Sequence, residues 1–200
     1  MESGSHPVVI EDWAPAGLLR AVDAEWPSLD WRYWHKYAEE TAVKYGSMDA
    51  SRLPGSARLL MSRMAEIDLA SLGIDVTAFP DLELHGAGLH CIPPGGHLGT
   101  HLDGAVHPLT GWHREVNAIL FVGQWQPEWG GDLCFFEDGG EAPASLRVSP
   151  RFNRLVLFRT GDSMWHGVEK VTGPNQRRTL SMFWWSAARM EATRDRAKFL

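Results

Sequence analysis

The sequence predicts a mostly β fold with flanking helices, a double-stranded β-helix (jelly roll) braced by N-terminal helices. Three observations carry that prediction. After Phe79-Pro80 the chain breaks into short β-type runs split by Gly and Pro, at the regular spacing of a sandwich or barrel. Before that point the apolar residues recur at helical spacing instead. The candidate strands number eight, as in a jelly roll.

In "APAGLLRAVDAEW", Leu18, Leu19, Val22 and Trp26 follow the helical period, and Pro27 stops the helix. A second helix is expected from Ser56 to about Ser71, with Leu60, Met64 and Ile67 on its face and Leu59 alongside. Ser56 is its expected N-cap and Gly73 its C-terminal stop. The stretch "DWRYWHKYAEETAVKY" also reads as helical. Strands are then expected at Glu83-Ile92, His97-Asp103, Glu115-Val122, Asp132-Phe136, Ala144-Val148, Arg154-Arg159, Met164-Val168 and Arg177-Ser186. "ARMEATRDRAKFL" closes the chain as a short polar helix. The expected organisation is a single domain over residues 1–200: mainly helical support over 1–80, a jelly-roll core over 83–186 and a C-terminal helix over 187–200.

With 44% apolar residues the chain can build a sizeable core, and a net charge of -6 leaves no basic footprint for nucleic acid. Cys91 and Cys134 are too few for a disulfide framework and form no C-x-x-C pair. No apolar run reaches the length of a membrane span, and "MESGSHPVVIEDW" lacks the basic and apolar regions of an export signal. A cytoplasmic protein without membrane or nucleic-acid partners is expected. Oligomeric state is unreadable from the sequence.

His101-x-Asp103 closes a Gly-rich run, and His166 follows in "DSMWHGVEK". Two nitrogens and a carboxylate on one face of an iron leave coordination positions for a chelating cosubstrate and for dioxygen. Downstream, "GPNQRRTLSMFWW" offers a guanidinium able to grip a carboxylate with two parallel hydrogen bonds. Alternate residues of a strand face opposite sides, so Arg177 shares its face with Thr179 and Ser181, and Arg178 with Leu180 and Met182. Hydroxyls beside a guanidinium suit a carboxylate pocket, which favours Arg177. By the same parity Asn117, Ile119 and Phe121 share a face of "REVNAILF".

In chain order stand "HLD", "REVNAILF", "WQPEWGGDLCFF", "SPRFNRLVLF", "HGVEKV" and "RRTLSMFWW", within a similarity that covers roughly Glu83 to Trp185. Together they resemble the Fe(II)/2-oxoglutarate dioxygenases, most closely their prolyl 4-hydroxylase-like branch. The resemblance implies Fe(II) on His101, Asp103 and His166. It also implies 2-oxoglutarate with its distal carboxylate on Arg177 among Asn117, Thr179 and Ser181, dioxygen as oxidant, and ascorbate in support. Oxidative decarboxylation to succinate and carbon dioxide would drive hydroxylation of an unactivated C–H bond. Halogenating relatives replace the carboxylate ligand with a small residue, so Asp103 points to hydroxylation, with desaturation and ring closure left open. Two positions depart from the family pattern: Phe121 and Ile92 stand where relatives commonly carry Tyr.

A small molecule, a free amino acid and a peptidyl proline all remain open as substrate, with the short chain favouring the first two. Loops at the mouth of a rigid scaffold often bind substrate, which makes His107, Trp112 and His113 of "GAVHPLTGWH" candidate contacts. Arg114, Arg147 and Arg159 could each recognise a substrate carboxylate, although surface ion pairing is the expected role. The competing reading is a non-catalytic jelly-roll module that senses metal or ligand. A zinc site on His97 and His101 would need a helix, which Pro93-Pro94-Gly95-Gly96 disfavours.

Overall fold

The computed structural model describes residues 6–137, 139–140, 142–187, 194 and 196–200. The elements run β1 (Val8–Ile10), α1 (Ala16–Ala24), β2 (His35–Glu39), β3 (Ala42–Ser47), α2 (Gly55–Ala65), β4 (Phe79–Pro80), β5 (Gly88–Ile92), β6 (His97–Leu102), β7 (His113–Phe121), β8 (Leu133–Phe136), β9 (Leu146–Val148), β10 (Leu155–Arg159), β11 (Trp165–Val168), β12 (Arg177–Ser186) and β13 (Lys198–Phe199). The strands form one antiparallel sheet in the order β1-β10-β7-β12-β5-β3-β6-β11-β8-β9, with β13 on β6, β2 on β3 and β4 on β12. The sheet curls until its limbs face each other. Phe135 of β8 meets Phe158 of β10 edge-on, ring centroids 5.1 Å apart. This is the jelly roll expected, and all eight expected strands form.

Strand alternation divides the sheet into two environments. Val116, Ala118 and Leu120 of β7, Leu155 and Leu157 of β10, and Leu180 and Met182 of β12 point outward into one apolar core. Leu19 and Val22 of α1 and Ala57, Leu60, Met61 and Met64 of α2 cover them. Phe121, Val156 and Phe158 point the other way, into a smaller cluster with Leu133, Phe135 and Val148. Asn153, in the left-handed region at φ 68, ties the β1–α1 junction to the sheet: it accepts the Ala14 N–H and donates to the Ala14 carbonyl, each at 2.8 Å.

Three expectations need correction. Residues 30–45 form no helix; β2 and β3 make an antiparallel hairpin, so the first eighty residues contribute strands as well as helices. The edge of β3 then inserts between β5 and β6. Glycine permits that approach, since a Cβ on Gly88 would sit 2.3 Å from the Ser47 carbonyl oxygen and one on Gly96 2.5 Å from that of Val43. The second helix ends at Ala65, and Ser56 lies inside its first turn, where its N–H and hydroxyl donate to Glu25; Pro54 is the cap. The expected C-terminal helix falls in part on residues 188–193 and 195, outside the described residues, and Lys198–Phe199 beyond them is a strand paired with Leu102 and His101. No described helix is long and apolar enough to cross a membrane.

Candidate metal centre

His101 lies near the end of β6, directly across the ladder from His166 of β11, and Asp103 follows two residues later on the same side. Each imidazole is held by its own strand's backbone: Nδ1 of His101 lies 2.9 Å from the Gly99 carbonyl and Nδ1 of His166 2.9 Å from that of Met164. A carbonyl only accepts, so each Nδ1 carries the proton and each Nε2 presents a lone pair. Those two Nε2 atoms face the Asp103 carboxylate, at 3.7 Å from Oδ1 and 3.8 Å from Oδ2. One ligand atom from each residue lies within 4.8 Å of the others.

The surroundings fix the charge of these groups. Burial, helped by neighbouring His101, pushes the His166 imidazole down to about 4, so it is neutral at physiological pH. Burial alone would raise the Asp103 carboxyl, but His166, His101 and the Arg114 guanidinium outweigh it and hold the group well below the usual carboxylate range. Asn117 Nδ2 donates to Asp103 Oδ2 at 3.1 Å, and Arg114 Nη1 lies 3.4 Å from Oδ1. Phe199 stacks on His101 and Phe158 packs against His166. Two imidazole nitrogens and an ionised carboxylate form a donor set that suits ferrous iron.

The triad opens into a cavity of about 130 Å³ also lined by Asn117, Ile119, Arg177, Thr179 and Ser181. Arg177 lies on the inner face of β12 and Arg178 on the outer. Arg177 donates from Nε to the Gly131 carbonyl at 2.8 Å, rests 4.8 Å over the Phe121 ring, and leaves Nη2 buried without a partner. Burial lowers it to about 10, which still leaves it charged. Arg178 bonds Asp23 of α1 at 2.9 Å. The Asn117 Oδ1 is a second buried polar atom without a partner. An unsatisfied guanidinium nitrogen opposite three convergent ligand atoms fits a molecule that chelates at one end and carries a carboxylate at the other.

His107, Trp112 and His113 do not line this cavity. His107 packs between His85 and Trp185, its Nδ1 accepting the Leu109 and Thr110 N–H groups; Trp112 meets Phe79 edge-on, and His113 pairs with Glu115 at 3.2 Å. Arg147 and Arg159 pair with Glu169 and Glu115, whereas Arg114, expected at the surface, is buried against Asp103 and the Phe183 ring. Lys44 and His90, which sequence reasoning did not assign to the site, both line the cavity. The Lys44 signal was the alternation of the β2–β3 hairpin, hidden by the helical reading. Outside the triad lies a vestibule of about 890 Å³ that shares Lys44, Leu98 and Arg114 with the inner cavity and reaches Tyr37, His85 and Arg196.

A family model described as the 2OG-Fe(II) oxygenase superfamily matches residues 87–186. No curated protein matches the sequence. Among solved structures, the chain is similar to a Pseudomonas putida prolyl-4-hydroxylase, with 23% identity over 92% of this chain and 94% of the other and a TM-score of 0.67. It is similar also to a Trichoplax adhaerens prolyl hydroxylase in complex with a hypoxia inducible factor peptide fragment, at 15% identity, 90% and 83% coverage and a TM-score of 0.61. A third is HygX of Streptomyces hygroscopicus with nickel, 2-oxoglutarate and hygromycin B, at 13% identity, 92% and 84% coverage and a TM-score of 0.59.

Proposed function

The chain belongs to the 2OG-Fe(II) oxygenase superfamily, an enzyme family whose cofactors are Fe(II), 2-oxoglutarate and dioxygen, and from that premise we propose that it hydroxylates a C–H bond of a small molecule or free amino acid, using His101, Asp103 and His166 as metal ligands and Arg177 to hold the cosubstrate. One observation supports the ligand assignment above the rest: both imidazoles are locked by backbone carbonyls into the tautomer that aims Nε2 at the Asp103 carboxylate. When bound, iron and 2-oxoglutarate would together supply the electrons that activate dioxygen, the oxidant, for attack on an unactivated C–H bond.

The protein's own part is positioning. Asn117 and Arg114 hold the Asp103 carboxylate in place, so that ligand does not have to reorganise. Arg177 would receive the distal carboxylate through Nη2, beside the Thr179 and Ser181 hydroxyls. Phe121 cannot donate a hydrogen bond; it lies under the guanidinium and confines it. Leu133, Val168 and Ile119 make the cavity wall apolar near the triad, which limits water there.

Of the neighbours, the Trichoplax enzyme is described with a peptide and HygX with hygromycin B, so the fold accommodates both kinds of substrate. The vestibule is the size of an ordinary small-molecule site, which supports the smaller class. The test is direct. Purified protein with Fe(II), ascorbate and 2-oxoglutarate should release succinate, and anaerobic titration should give a weak visible charge-transfer band that a His166→Ala variant lacks. Tight binding of ligand without succinate across a broad substrate panel would favour a sensor instead.

A further inference from the structure

We propose that Lys44 is the seat for a free carboxylate on the substrate, with Arg114 as the fixed cation beside it, so that the molecule oxidised is a small carboxylate and not an internal residue of a peptide. The inference rests on the oxygenase reading above and adds the chemistry of its substrate.

Lys44 sits on β3 where the inner cavity meets the vestibule, and lines both. Its Nζ lies 5.0 Å over the ring of Tyr37, its cross-strand partner on β2. Among the described residues it has no hydrogen-bond acceptor and no ion-pair partner. Neighbours on the same strand face away: Tyr45 packs against Trp34 in the outer core. A half-buried ammonium without a counterion is penalised, and desolvation pulls the Lys44 group down to about 8 against the opposing pull of Asp103. What the fold withholds, a ligand can provide.

Charge balance points the same way. Lys44, Arg114 and Arg177 line the inner cavity against a single carboxylate, Asp103. A ferrous dication and a 2-oxoglutarate dianion cancel, so the cationic excess persists in the loaded enzyme. Arg177 would be occupied by the cosubstrate. Arg114 is committed to Asp103 through Nη1 and clamped against Phe183 at 3.8 Å, so it contributes field but little movement. Of the inner-cavity cations, Lys44, a point charge on a flexible stem, is the one left to meet an incoming anion, while Arg196 lines only the outer vestibule. A peptide blocked at both ends offers it none. Glu39 and Glu83 also line the vestibule, which disfavours polyanions and leaves room for one compact anionic group.

Protein loaded with Fe(II) and 2-oxoglutarate would be presented with free L-amino acids and small aliphatic acids, each beside its primary carboxamide, and with a proline-containing peptide blocked at both ends. Binding is read anaerobically as a perturbation of the charge-transfer band, and turnover as succinate release above background. The expected result is that one or more carboxylates perturb the band and stimulate turnover, with the matched carboxamide weaker by about tenfold or more. Lys44→Met should raise the half-saturating carboxylate concentration by about the same factor while shifting that of 2-oxoglutarate by less than about twofold. Lys44→Arg should recover part of the loss, and Lys36→Met, on the exposed side of the hairpin, should change nothing. A carboxamide or blocked peptide as effective as the acid would overturn the proposal. So would a panel in which no carboxylate perturbs the band, or a Lys44→Met variant that weakens 2-oxoglutarate instead of substrate. If the unaltered protein forms no band at all, the oxygenase reading falls, and this one with it.

Discussion

The outer and inner faces of the curled sheet are built from the same strands but from different chemistry. Outward, β7, β10 and β12 bury Leu, Val, Ala, Met and Trp against α1 and α2. Inward, the alternate residues of β7 and β12 include Asn117, Arg177, Thr179 and Ser181, and the side chains there retain buried polar atoms without partners. A buried polar atom left unsatisfied costs about 1–3 kcal/mol. Arg114, Asn117 and Arg177 gather three such atoms at the site, a local cost that the outer core offsets even though the Trp26 and Trp185 indole N–H groups there also lack partners. Stability and chemistry occupy opposite sides of a single layer, and substitutions on the two sides should separate cleanly.

The largest expected effect is on the inner face. Asp103→Ala should lower succinate release by about a thousandfold or more, because truncating the proposed ligand would remove both a metal bond and the partner of Arg114. Arg114 loses its buried partner, so the melting temperature should also fall, whereas a variant that no longer folds at all would break the proposed separation. Next comes the adjacent pair on β12. Arg177→Ala should weaken 2-oxoglutarate by roughly a hundredfold, the range expected when a buried charged pair loses one member. Arg178→Ala should leave that affinity within about twofold, since its partner is the half-exposed Asp23. The reverse ranking would assign the cosubstrate to the wrong arginine.

On the outer face, Leu60→Ala or Leu180→Ala should destabilise by about 2–5 kcal/mol, because both side chains are fully buried. Cosubstrate affinity measured on the folded fraction should not change. The smallest effect concerns pH. Burial, with Lys44 adding to it, pushes the His90 imidazole down to about 3 from an ordinary 6.5. The unfolded chain therefore takes up a proton that the folded one refuses. Stability from this group is intact above about pH 6.5 and is lost as pH falls toward 3. His90→Gln keeps a donor for the Gly86 carbonyl and should flatten the decline of melting temperature between these limits.

The eight core strands were legible because Gly and Pro punctuate them, and the triad because His101, Asp103 and His166 sit in motifs of strong local character. Parity alone chose the arginine that faces the cavity. The β2–β3 hairpin was not legible: its turn, Glu40-Thr41, lacks the Asn-Gly or Asp-Gly that marks a two-residue loop, and charged residues flank it. With the hairpin went Lys44, whose position depends on β3 slotting between β5 and β6. Arg114 was misjudged for a different reason. Nothing local to "HREVN" reveals that its guanidinium turns inward to Asp103. The loop candidates His107, Trp112 and His113 failed because loop and cavity adjoin without facing each other; His85 lies between His107 and the vestibule.

The back-to-back placement of Arg177 and Arg178 has a consequence for how this protein can fail. If β12 slipped by one residue against β5 and β7, Leu180 and Met182 would turn toward the triad and Thr179 and Ser181 would be driven into oil. A guanidinium would still reach each side, so the slipped chain would keep its charges while losing its solvent logic. Packing in the greasy layer thus acts as the proofreader of the chemistry across the sheet, and insertions in the β11–β12 connection should be tolerated only where they preserve which arginine looks inward.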